Sequence, residues 1–221
     1  MNYVLGRPYQ DTSLALYPKD ITDHTREYLD RDMGNRGDYA KISVGIDWGE
    51  HFHHVVILGM KSNGYWDVIH LEKVRTSSGA EHIEEDLRQI IQILYRYEPD
   101  IILPDLGYNG NYVARLIGQF GTDKVFGVMQ RTAKSNGDMN AHFNEQGNTV
   151  TIDKLMQNMS LISEIKAGRI GFIRNLDDPE LQLLIKHGQN VVIKDEQDEN
   201  SGTIYKTITR KGGDYKKMVS L

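Results

Sequence analysis

The chain has 221 residues, of which 39% are hydrophobic, and 26 Lys and Arg stand against 31 Asp and Glu for a formal charge of −5. That length fits one large or two small domains with a real core, which excludes a disordered tail, and the acidic balance argues against a non-specific nucleic-acid coat that relies on many cations. There is no cysteine, so disulfides, thiolate zinc sites and Cys nucleophiles are excluded, and any metal must be held by oxygen or imidazole.

Residues 1–40 mix both signs of charge with Pro8, Pro18, Gly34 and Gly37, show no sustained period and read as a linker or peripheral arm. They contain no basic segment followed by an apolar run. Nothing further on approaches the roughly 18 apolar residues of a membrane span, so a soluble, intracellular chain is expected. A folded domain is expected over residues 41–221. Lys41–Trp48, His54–Lys61 and Trp66–Arg75 read as three strands joined by short turns, an antiparallel meander. Ala80–Tyr97 spaces Ile83, Leu87, Ile90, Ile91, Leu94 and Tyr95 as a helix, with Ser77 or Ser78 as a cap and Pro99 as the stop. Trp66 and Tyr95 fall on core-like faces.

Asp100–Pro104 is a short apolar strand, Gly107–Gly110 turns into a helix carrying Val113, Leu116 and Ile117, and Lys124–Met129 is another strand. Strand, helix, strand is the pattern of parallel pairing with right-handed crossovers. Residues 131–149 read as a polar loop. A helix over about Asp153–Ala167, a strand at Arg169–Ile173 and a helix opened by Asp177-Asp178-Pro179 follow. The segments 190–194 and 203–210 form a hairpin with an acidic tip at Asp195–Glu199, and Gly212-Gly213 precedes a terminal helical piece.

Two of the apolar strands end in a carboxylate, Asp47 in G-I-D-W-G and Asp105 in I-I-L-P-D-L-G. Acids held over a sheet rim by rigid strands suit Mg²⁺ or Mn²⁺, hard ions that prefer oxygen. Asp214 in K-G-G-D-Y-K-K is the candidate third ligand, with glycines that permit close approach and Lys211, Lys216 and Lys217 to meet phosphates. Taken singly, Asp47 and Asp105 are also ordinary turn residues and Asp214 an ordinary helix cap. Arg131, Lys134, Asn136 and Lys154 are further candidates for a nucleic-acid backbone. His51, His53 and His54 lack a third protein ligand and read as a solvated strand start rather than a zinc site, Glu50 as a turn residue, Asp153 as a helix cap and Asp138 as a spare carboxylate.

The order of elements, together with V-G-I-D-W-G, I-I-L-P-D-L-G-Y-N-G, M-S-L-I-S-E-I-K-A-G-R-I and K-G-G-D, resembles the nuclease domain of phage and herpesvirus terminase large subunits, DNA-packaging enzymes of the ribonuclease H-like superfamily. The resemblance spans roughly residues 40–221. It implies an α/β fold with a mixed central sheet flanked by helices, acids Asp47, Asp105 and Asp214 binding two Mg²⁺ or Mn²⁺ ions, and low-specificity cleavage of double-stranded DNA during packaging. It further implies a terminase ATPase domain, small terminase and portal as partners, no membrane, and the infected host's cytoplasm as location. No G-x-x-x-x-G-K-[ST] is present, so the motor function is absent and the chain reads as an excised half or a stand-alone relative. Tyr215 follows the last acid where many relatives place histidine near it, leaving Lys211 as the charged neighbour. A Holliday-junction resolvase or transposase of the same fold is the enzymatic alternative. An actin-like ATPase fragment, suggested by G-I-D-W-G, and a non-catalytic docking module are those of another class.

Overall fold

Runs of β-branched residues set the frame. In the computed structural model, which describes residues 15–76, 83–107, 110–131, 140–197, 202 and 204–210, a short helix α1 (Pro18–Thr22) precedes the meander β1 (Lys41–Asp47), β2 (Phe52–Met60) and β3 (Trp66–Arg75). Val44 pairs with Ile57 and Ile46 with Val55, so one face of the sheet carries a row of fully or nearly fully buried aliphatics. Each such side chain contributes about 1.5–3 kcal/mol on burial. Helix α2 (Ile83–Tyr97) packs on this face, where Tyr97 reaches His70 and Gln89 reaches Glu72. Its spacing buries Leu87, Ile90, Ile93, Leu94 and Tyr97, while Tyr95 turns outward, 54% exposed beside Phe120. The core-like face expected for Tyr95 is therefore corrected.

β4 (Ile101–Pro104) lies parallel to β1, and helix α3 (Gly110–Phe120) leads to β5 (Gly127–Arg131). The polar stretch after β5 contains β6 (His142–Asn144), which pairs antiparallel with β7 (Thr149–Asp153), itself parallel to β5. That corrects the single loop expected over 131–149. Main-chain pairing satisfies these strands whatever their side chains, so a polar edge leaves no apolar alternation to read.

Asp153 caps α4 (Lys154–Lys166) by accepting from the Met156 N–H at 3.0 Å. β8 (Ile170–Gly171) pairs with β3 for two residues only, because Phe172 bonds instead to His24 and Arg26 of the N-terminal segment. Residues 15–40 thus run against the body, with Ile21 and Leu29 fully buried. Asp178 accepts from the Glu180 and Leu181 N–H groups and Pro179 occupies the first turn of α5 (Pro179–Asn190), followed by the hairpin β9 (Val191–Gln197) and β10 (Ile204–Arg210). The main sheet runs β4-β1-β2-β3-β8, and single bridges Ile102–Val125 and Asp105–Val128 join β4 to the smaller sheet β5-β7-β6. No helix among the described residues is long and apolar enough to cross a membrane.

Candidate metal centre

Helices do not cover the sheet evenly. α5 lies against β3 on the face opposite α2, where Glu180 and His187 come near Lys73 and His54. Beside it, no described residue covers the same face of β1 at Gly45, which is exposed and where an added Cβ would meet nothing within 4 Å. Alternation from Gly45 puts Asp47 over this open strip.

Asp105 joins it there. Ile46 is in register with Pro104, and the Asp105 N–H donates to the Ile46 carbonyl at 2.8 Å, so Asp47 and Asp105 stand at the carboxyl ends of neighbouring parallel strands, one level above that pair. Both are half-buried. Strands lie about 4.8 Å apart. A divalent cation between acids on neighbouring strand ends would be held by oxygen from both sides. Gly107 lies beside this carboxylate, since a Cβ there would be in ordinary contact with the Asp105 oxygens, at 3.4 and 3.6 Å. Two oxygen donors on rigid strand ends, with no thiolate in the chain, fit a hard divalent ion.

Asp214, Lys211, Lys216 and Lys217 lie outside the described residues, as do Lys134, Asn136 and Asp138. Among the described residues, no group of three His, Asp or Glu is arranged to hold a metal. Arg131 is exposed at the end of β5, in register with Asp153, and Lys154 opens α4. Glu50 is an exposed turn residue whose carbonyl accepts the Thr76 hydroxyl at 2.7 Å.

The three histidines separate. His51 is exposed, whereas His54 is half-buried opposite Asp47 in the β1–β2 register, its pKa pushed down by burial and by the nearby cations Lys73 and His187. His53 is fully buried and accepts from the Gly49 N–H at 3.3 Å through Nδ1. A solvated strand start therefore does not describe His53. Its sequence context, three histidines within four residues after a glycine, is polar, and the only local signal for burial is the β2 alternation that places it with Val55 and Ile57.

The fold is that of solved nucleases. The crystal structure of the large terminase nuclease from thermophilic phage G20c aligns with a TM-score of 0.50 at 12% identity, covering 91% of this chain and 86% of that one. This chain has the ribonuclease H-like fold of a large terminase nuclease. Looser likenesses to terminase nucleases extend to the cobalt-bound form of the phage enzyme (TM-score 0.48, 12% identity, 90% of this chain and 85% of that one). The manganese-soaked human cytomegalovirus terminase nuclease domain gives a TM-score of 0.43 at 19% identity over 83% of this chain and 88% of that one. No family model matches the sequence, and no curated protein matches it significantly.

Proposed function

We propose that this chain is a divalent-metal-dependent endonuclease that cuts double-stranded DNA with little sequence preference during viral genome packaging. The observation that carries the reading is the placement of Asp47 and Asp105, side by side at the rim of an open sheet face in a terminase-nuclease fold. In this reading Asp47, Asp105 and Asp214 hold two Mg²⁺ or Mn²⁺ ions. The ions, when bound, supply activation of the attacking water and stabilisation of the leaving 3′ oxygen. The strand ends fix the first two carboxylates so that the reacting phosphate meets a preformed site. Lys211, Lys216 and Lys217, with Arg131 and Lys134, neutralise phosphates and hold the duplex without reading bases. The packaging setting brings the other members of the reading: a terminase ATPase domain, small terminase and portal as partners, in the cytoplasm of the infected host.

Supercoiled plasmid cleavage tests it, with Mn²⁺, Mg²⁺ or EDTA, on the native chain and on Asp47→Ala, Asp105→Ala and Asp214→Ala at equal folded concentration. Ion-dependent cleavage that falls at least about 100-fold in each variant is the expected result, given what single electrostatic groups contribute to such transition states. Cleavage in EDTA, or a fully active variant, overturns the reading. A four-way junction preferred over linear duplex would shift it to a resolvase.

A further inference from the structure

Three rings tie together the segments that carry the two acids. Trp48 follows Asp47, His53 lies at the start of β2, and Tyr112 sits in the first turn of α3, the helix reached from Asp105. The indole and phenol stack at 4.7 Å and 20°, and the imidazole stands edge-on to both, at 5.0 Å and 90° and at 5.2 Å and 72°. All three are buried, at 2%, 0% and 6% exposure respectively. The contact joins the turn after β1 directly to the helix after β4.

The histidine does more than fill space. Its Nδ1 accepts the N–H of buried Gly49, two residues beyond Asp47, so the ring fixes the backbone that leaves the first carboxylate. A leucine would occupy a similar volume but offer no acceptor, and a buried N–H without one is costly. Through Tyr112 the same ring contact ties that backbone to the helix that follows Asp105.

We propose that His53 is a positioning residue of the metal centre, holding the Asp47 turn in register with Asp105 through the Gly49 N–H and the Tyr112 ring. The inference rests on the reading of Asp47 and Asp105 as metal ligands. His53 acts through them and does not bind the ion.

Calorimetric titration of Mn²⁺ into the full chain tests it, together with thermal unfolding of the same samples. His53→Leu removes the acceptor and keeps bulk, His53→Asn restores an oxygen near the place of Nδ1, Tyr112→Leu removes the second ring, and Leu29→Ala opens a cavity in the N-terminal segment as a stability control. The expected result is Mn²⁺ affinity weakened about 10–100-fold in His53→Leu and Tyr112→Leu, the range typical of groups that orient metal ligands. His53→Asn should recover most of the loss, and Leu29→Ala should melt earlier with native affinity. Native affinity in His53→Leu, no recovery in His53→Asn, or an equal loss in Leu29→Ala overturns the proposal. Should His53→Leu fail to fold, native affinity in Tyr112→Leu overturns it alone. A native chain that takes up no Mn²⁺, or Asp47→Ala and Asp105→Ala variants that bind as well as the native chain, would instead remove the ligand reading on which it stands.

Discussion

Asp67 and the pair Asp47 and Asp105 occupy opposite ends of one sheet and are served in opposite ways. Asp67 sits at the start of β3, 1% exposed, and the chain brings donors to it: the Tyr39 hydroxyl at 2.9 Å, the Tyr28 hydroxyl at 3.1 Å and the Lys61 ammonium at 2.8 Å. Burial pushes the Tyr39 phenol pKa up, and the Asp67 carboxylate pushes it further, while Lys61 is held above its ordinary value because Asp67 and Tyr28 outweigh its own burial. At the other end a carboxylate is set beside a carboxylate. Donors converging from the chain mark Asp67 as a structural acid, whereas Asp47 and Asp105 are set apart by their place at the ends of neighbouring parallel strands.

The sharpest way to break this comparison is to neutralise each acid in the absence of metal. Asp67→Asn should lose about 3 kcal/mol, or roughly 6–12 °C of melting midpoint for a chain of this size, because it leaves Lys61 and two hydroxyls around a group that no longer balances them. Asp47→Asn should lose clearly less, under about 1 kcal/mol, since the half-buried strand-end acid is not ringed by the donors that Asp67 collects. Equal losses in EDTA-treated samples, read by thermal unfolding, would erase the distinction. A second effect sharpens the structural side. Tyr39 reaches Asp67 by lying across Gly59, where a Cβ would approach the ring to 2.5 Å, so Gly59→Ala should cost about 1–3 kcal/mol by denaturant titration while sparing Mn²⁺ binding.

The smallest effect concerns Asp32. Burial raises its pKa, but the Tyr97 hydroxyl, the Gly34 N–H, Arg96 and His70 together lower it from 3.8 to about 2. A carboxylate with a depressed value in the folded state stabilises that state fully above 3.8, and the contribution disappears as pH falls toward 2. The side chain is 40% exposed, so Asp32→Asn should flatten the acid limb of the stability curve by under about 1 kcal/mol, measured by urea unfolding across that interval.

How far such sites were legible depends on whether local sequence controls them. α2 and α5 were readable because apolar spacing and the Asp178-Pro179 start are local signals, and the acids of β1 and β4 because each ends an apolar run without a packing reason. Their adjacency was not local. It follows from β4 pairing parallel to β1, which the order of elements implies but no single motif states. The burial of Ile21 and Leu29 follows no period, since Ile21 lies in the five-residue α1 and Leu29 in the irregular chain beyond it. Polar neighbours mask His53, and nothing in the local sequence sets Tyr112, which stacks on Trp48, apart from the rest of its helix. Asp214 stays with the sequence argument alone.

The bridge between Asp105 and Val128 puts one candidate ligand on the seam between two ladders. Asp105 donates to Ile46 on the β1 side, and Leu106 next to it donates to Val128 on the β5 side at 3.0 Å, with few other main-chain bonds crossing there. A seam so thin can open with less free energy than the five-stranded sheet beside it. Amide exchange is therefore expected to be faster across β5, β7 and β6 than across β1 and β2, with Asp105 marking the boundary.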